Sequence, residues 1–246
     1  MPASGPVPVY TGLAINTIGA APFLYAANNA QGRIDVFDGT FTNVTNTTFA
    51  GKFVDPNLPA GYVPFNVQTI GGPGGNIYVT YAPAGRANQT GATLGQGAVA
   101  EFKPDGTFVT ELIGVSAAGS RLAAPWGITL APSNFGPFSG DLLVGDFSYL
   151  FGEIDAYNPV TGVFLGTLDS NPAWQGLWAL TFGNGGNGGD PNILYFTTGL
   201  NAEADGLFAA LSVVPEPSTL ALLGSGLLSL YAWRRRSSRR RGEAAG

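Results

Sequence analysis

The chain has 246 residues with neither cysteine nor histidine, which excludes a disulfide framework, a Ser-His-Asp triad, a Cys-His pair and any His or Cys zinc site. Its net charge of −5 understates the acidity of the body: six of the 11 basic residues are arginines clustered at the C-terminus, and the residues before the tail hold five basic side chains (Arg33, Lys52, Arg86, Lys103, Arg121) against fourteen acidic ones. So sparse and acidic a surface excludes nucleic acid as a partner, because binding it needs a basic footprint, and leaves carboxylates and tyrosines as the groups available for acid–base chemistry.

The first residues, Met1-Pro2-Ala3-Ser4-Gly5-Pro6, have neither the basic start nor the apolar stretch of a signal peptide. The sequence is expected to begin inside a longer protein that carries such a leader. Residues 1–10 form a short N-terminal segment in which residues 7–10 read as a strand, available to close the last sheet of a ring.

Residues 11–212 repeat. A small apolar strand opens each copy: Leu13-Ala14-Ile15, Phe65-Asn66-Val67, Trp126-Gly127-Ile128 and Trp178-Ala179-Leu180. A second strand follows at Leu24-Tyr25-Ala26-Ala27, Ile77-Tyr78-Val79-Thr80, Leu142-Leu143-Val144-Gly145 and Leu194-Tyr195-Phe196-Thr197. The third begins after Gly32, Gly97, Gly152 and Gly206. Asp38-Gly39, Pro104-Asp105-Gly106 and Pro159-Val160-Thr161-Gly162 are hairpin signals, and a fourth strand is expected over 41–44, 108–112 and 163–168. The long 83–96 segment reads as a polar insertion at a blade edge. Four strands per repeat, spaced by roughly fifty residues, are the signature of a propeller blade. The predicted fold is all-β: a β-propeller of about four four-stranded blades, part of a larger parent of six. A single transmembrane helix follows at the C-terminus.

The blades resemble NHL-type propeller repeats. The resemblance is closer to uncharacterised bacterial propeller-like proteins with a sorting tail. It is carried by Gly32-Arg33-Ile34-Asp35-Val36-Phe37, the segment 53–61, Pro125-Trp126-Gly127-Ile128, Leu142-Leu143-Val144-Gly145-Asp146-Phe147 and Gly183-Asn184-Gly185-Gly186-Asn187. It runs from about Gly12 through the tail and departs at the N-terminus. It implies fold and export and no activity.

Three groups of residues are candidate sites. Trp126 and Trp178 hold the same repeat position and are candidates to stack on a sugar from the central face; inter-blade packing is the competing reading. Asp141, Asp146 and Asp190 stand near strand ends and are candidates for Ca²⁺, which takes carboxylate and carbonyl oxygens, although no EF-hand spacing exists and the competing reading is that Asp caps turns and solubilises blade edges. A facing pair of carboxylates would permit glycoside hydrolysis. The Gly183–Asp190 run lacks the Gly-Lys-Ser/Thr ending of a phosphate loop and reads as an inter-strand loop.

The tail has three parts: a linker over 213–218, an apolar run over 219–233 and a basic end over 234–246. The apolar run lies at the short edge of what spans a bilayer. Arg234, Arg235 and Arg236 follow it and are expected to stay cytoplasmic, leaving the body outside. Val214-Pro215-Glu216-Pro217-Ser218 ahead of this helix resembles the PEP-CTERM sorting signal of Gram-negative bacteria. That resemblance implies export across the inner membrane, processing by an exosortase-type membrane peptidase, and delivery to the cell surface or an exopolysaccharide matrix. The sequence therefore points to a non-enzymatic propeller that binds extracellular polysaccharide or serves as a scaffold. A carboxylate-dependent extracellular glycan hydrolase or lyase is the alternative.

Overall fold

A computed structural model describes residues 6–169, 174–212 and Tyr231. The expected helix over 219–233 (Tyr231 apart), the Pro-Glu-Pro motif and the tail arginines lie outside the described residues. Among the described residues no helix is long and apolar enough to cross a membrane.

The body is four antiparallel meanders. Blade 1 holds β1 (Tyr10–Ile18), β2 (Ala21–Asn28) and β3 (Arg33–Asp38); blade 2 holds β4 (Tyr62–Ile70), β5 (Asn76–Pro83), β6 (Ala98–Phe102) and β7 (Phe108–Ile113). Blade 3 holds β8 (Pro125–Leu130), β9 (Leu142–Asp146), β10 (Ile154–Tyr157) and β11 (Phe164–Asp169); blade 4 holds β12 (Leu177–Phe182), β13 (Ile193–Gly199) and β14 (Asp205–Ser212). Strands lie in sequence order within each sheet. The first strands of successive blades pack side by side, β1 on β4, β4 on β8 and β8 on β12. Sheets stacked face to face, with their first strands innermost, form a β-propeller.

Alternation explains the stacking. Each strand sends one set of side chains to the preceding blade and the other to the following blade. Tyr25, Ile34 and Val36 of blade 1 meet Val67, Ile77, Val79 and Phe102 of blade 2 in one buried cluster. Tyr78 and Val99 of blade 2 meet Ile128, Leu142, Val144 and Tyr157 of blade 3 in the next. At the third junction Gly127 and Gly145 press against Leu180, where a Cβ would come within 2.7 Å and 3.1 Å of that side chain.

Three expectations need correction. The strand expected over 41–44 does not form, and only an isolated Phe37–Asn43 bridge remains. The Asp38 carboxylate accepts hydrogen bonds from the backbone N–H groups of Thr40 and Thr42 at 2.9 and 3.0 Å, and Phe41 takes φ 60°. That turn diverts the chain from the ladder, so blade 1 has three strands. In addition, Leu13 faces Ala26 and Ile15 faces Leu24, whereas in blade 2 Val67 faces Val79. Leu13, not Ile15, is thus the counterpart of Val67, Ile128 and Leu180. Tyr10 starts β1, and the Asn29 N–H donates to the Val9 carbonyl at 2.9 Å, so this segment runs with blade 1. Blade 4 has three strands among the described residues.

Candidate functional site

Each inner strand carries a register shift at the same place: between Tyr10 and Gly12, Pro64 and Asn66, Pro125 and Gly127, and Leu177 and Leu180. A bulge re-aims its extra residue out of the ladder. The residues so placed are Thr11, Phe65, Trp126 and, with Ala179, Trp178. The two tryptophans expected to share a position do meet, ring centroids 5.3 Å apart and edge to face. Trp178 also lies 5.9 Å from Phe65 and 4.8 Å from Phe147. Most of this cluster is core, with Phe65 and Phe147 buried and both tryptophans half-buried.

Both indole N–H groups have acceptors. Trp126 Nε1 donates to the Thr11 carbonyl at 2.9 Å, and the Asn66 amide donates to the Trp126 carbonyl at 2.8 Å. Trp178 Nε1 donates to Glu203 Oε1 at 2.8 Å. Glu203 also pairs with Arg86, whose guanidinium lies 4.3 Å from the Phe147 ring centre and 6.0 Å from that of Trp178. A guanidinium over an aromatic face is attracted by the ring quadrupole. Arg86 is thus held by an ion pair and by ring faces together.

Two local structures deliver these groups. Arg86 opens a five-residue helix, α1 (Arg86–Thr90), in the 83–96 segment. That segment is not a loose edge insertion. Gln89 and Ala92 are buried, the Tyr149 N–H donates to the Thr90 carbonyl at 2.9 Å and Ser148 Oγ donates to the Ala92 carbonyl at 2.6 Å. Glu203 lies in the β13–β14 connection, where Asn201, Ala202 and Glu203 have φ of 51°, 56° and 66°. Three consecutive left-handed residues without glycine are costly. A cleft of about 530 Å³ opens beside this turn, lined by Trp178, Thr197, Glu203, Asp205 and Phe208. Asn201 donates to Asp205 Oδ2 at 2.5 Å. The cleft therefore offers an aromatic wall, two carboxylates and the threonine hydroxyls of Thr197 and Thr198. Arg86 and Glu203 were not singled out in the sequence; the scarcity of cations in the body was the one available signal.

The candidate metal ligands do not converge. Asp141 and Asp146 sit at opposite ends of β9, and Asp190 lies in the β12–β13 loop, where it accepts the Asn192 N–H at 2.8 Å. Among the described residues no three His, Cys, Asp or Glu side chains are placed to hold a metal ion. Asp146 instead joins a buried acidic group. It lies on one face of blade 3 with Glu153 and Asp155, opposite Arg121, which pairs with Glu153 and reaches Asp155 at 3.6 Å. Thr167 donates to Asp155 at 2.6 Å, whereas neither Asp146 oxygen has a hydrogen-bond partner. Burial, then the neighbouring Asp155 charge, raises the Asp146 pKa well above the usual carboxylate range. Burial chiefly raises that of Asp155 to about 6. Asp141 is raised more mildly, by burial alone.

Residues 213–236 match the PEP-CTERM protein-sorting motif, a signal for export and membrane-anchored sorting in bacteria. Over 85% of its length the chain is 29% identical to an uncharacterized protein of Acanthamoeba polyphaga mimivirus, covering 49% of that relative. The chain spans about half the length, or less, of the curated relatives it matches. Among solved structures it is similar to the Kuenenia stuttgartiensis hydrazine synthase, with a TM-score of 0.51 at 10% identity over 86% of this chain and 48% of that one. It is also similar to an α-L-arabinofuranosidase of Fusarium graminearum bound to an iminosugar inhibitor, with a TM-score of 0.50 at 15% identity over 80% of this chain and 56% of that one. At such identities the likeness is one of fold.

Proposed function

We propose that the protein is a sorted, exported propeller that binds polysaccharide at the cell surface or in an exopolysaccharide matrix, without enzymatic activity. The sorting motif over 213–236 carries the reading, because it takes the body out of the cytoplasm. The Trp178 cleft supports it. A sugar ring stacks on the indole, whose edge is held by Glu203, while Asp205, Thr197 and Thr198 serve its hydroxyls. An exosortase-type peptidase processes the tail at Val214–Ser218 after the helix over 219–233 has anchored it and Arg234–Arg236 have stopped its transfer. The NHL-type kinship of the blades and a Gram-negative host belong to this proposal too. Calorimetric titration of the full chain with the host's purified exopolysaccharide tests it. Binding that Asp205→Ala weakens is expected; no heat with a folded protein overturns the polysaccharide reading.

One observation favours a second reading. Glu203 and Asp205 line the same cleft, as a carboxylate-dependent glycan hydrolase or lyase requires. Glu203, however, is engaged by Arg86 and Trp178. Turnover of nitrophenyl glycosides that disappears in both Glu203→Gln and Asp205→Asn would establish the enzyme instead.

A further inference from the structure

Blade 1 lacks a fourth strand, and residues of its connection to blade 2 pack into the junction instead. Phe49 and Phe53 of that connection belong to the buried cluster between the two blades, and the Phe53 N–H donates to the Gly106 carbonyl at 2.9 Å. Asp55 follows two residues later and is carried to the same side of blade 2. Register brings two more oxygen-bearing side chains there. Tyr81 lies two residues beyond Val79 on β5, Val79 faces Ala100 of β6, and Ala100 faces Glu111 of β7. Residues opposite one another in a ladder, or two apart along a strand, share a face. The junction therefore gathers two carboxyl groups and a phenol from three separate segments of the chain.

Asp55 is 9% exposed and Tyr81 2% exposed, and Glu111 is half-buried. Asp55 Oδ2, Glu111 Oε2 and the Tyr81 hydroxyl are all buried without a hydrogen-bond partner among the described residues. The other Asp55 oxygen accepts the Asn57 N–H at 2.9 Å, which fixes the carboxylate. Asp55 and Glu111 come within hydrogen-bonding reach of each other, but two ionised carboxylates have no proton to donate. Burial, then Asp55, raises the Glu111 pKa, and after burial the charges of both acids act on the Tyr81 hydroxyl. Among the described residues no arginine or lysine pairs with either acid. Gly114 leaves room for this arrangement, because a Cβ there would stand 2.5 Å from Glu111 Oε1. We propose that Asp55, Glu111 and Tyr81 bind a hard divalent cation of the Ca²⁺ class at the junction of blades 1 and 2. An all-oxygen donor set with two negative charges suits such an ion, whose remaining positions go to carbonyls and water. A proton shared by the two acids would satisfy the carboxylates and leave the phenol idle. A cation engages all three oxygens and supplies the charge that the buried pair lacks. With two carboxylates and a phenol, the set is distinct from Asp141, Asp146 and Asp190, which do not converge.

Titration calorimetry and thermal melts of the full chain in detergent, with Ca²⁺ alone as the probe, test this. Binding with a Kd on the order of 10⁻⁴–10⁻³ M is expected, the range of extracellular calcium modules. At a tenfold excess over Kd the melting temperature should rise by about 3–6 °C, and EGTA should reverse the rise. Asp55→Asn and Glu111→Gln keep side-chain size and should each raise Kd at least about tenfold, since even an outer-shell partner is worth that much to a metal site. Tb³⁺ in place of Ca²⁺ gives a second readout on the unsubstituted chain: a tyrosine at the ion sensitises its emission, and Tyr81→Phe should dim it. Neither heat nor a melting shift at about 10 mM Ca²⁺, above the expected range, overturns the proposal. If the calcium-free Glu111→Gln chain then melts higher than the parent, the two acids share a proton instead. Ca²⁺ binding that survives both carboxylate substitutions also overturns it, because the ion then lies elsewhere.

Discussion

Of the three arginines that pair with carboxylates among the described residues, Arg121 and Arg86 do different work. Arg121 joins a group buried in blade 3, where Asp155 is fully buried, Glu153 is nearly so and Asp146 has no partner. Arg86 sits 45% exposed over an aromatic cluster, its partner Glu203 is 30% exposed, and a cleft opens beside them. The first arrangement is under-neutralised and its carboxylates are largely buried, so its energy is spent within the fold. The second is neutralised and open, and its polar groups remain available to a ligand. An ion pair's burial, not its presence, separates structure from recognition here.

The same substitution at both positions should break the likeness. Arg121→Ala leaves three carboxylates without a counter-charge and should destabilise the protein by about 3 kcal/mol, the low end for a broken buried pair because Arg121 is itself partly exposed; urea unfolding measures it. Acidity sharpens the contrast next. With Asp146 and Asp155 both raised, the folded protein holds protons that the unfolded chain has released. Stability should therefore rise as pH falls from 7 toward 4 and fall as pH rises through about 6, with Asp155 contributing up to about 3 kcal/mol. In keeping with that sign, Asp146→Asn should stabilise the protein at pH 7 by about 1–3 kcal/mol and flatten the pH profile; thermal melts across pH 4–8 report both. Arg86→Ala should cost less than about 1 kcal/mol, yet weaken polysaccharide binding by freeing Glu203 and the Trp178 edge. The smallest effect concerns the cleft rim: Ala202→Gly should stabilise by about 0.5–1 kcal/mol, since glycine takes φ 56° without strain.

The repeat was legible in the sequence because its second and third strands keep one alternation and one set of turn residues. The register of blade 1 was not. A slip of two residues returns every side chain to the same face, so Leu13-Ala14-Ile15 satisfies the pattern in either alignment. The aromatic that marks the bulge in blades 2–4 is Thr11 in blade 1, which hides the anchor. The shared repeat position of Trp126 and Trp178 was legible; that their rings meet was not. Arg86 and Glu203 were not legible either, because they lie in connections outside the repeat, and their meeting across 117 positions depends on how blades stack. Asp146 looked like any strand-end acid, and only the packing of Arg121, Glu153 and Asp155 makes it a buried one.

The Trp126–Thr11 hydrogen bond bears on how the chain folds in time. It joins residues 115 positions apart, whereas each meander closes through neighbours along the chain. At about 5–20 residues per second of synthesis, Trp126 emerges roughly 6 to 23 seconds after Thr11. A first sheet can form and fray many times in that interval, since hairpins assemble within microseconds. Until Trp126 arrives, the Thr11 carbonyl is without its indole donor. The inner edge of blade 1 therefore waits on blade 3 for this bond, and a holdase would find it unfinished throughout that wait.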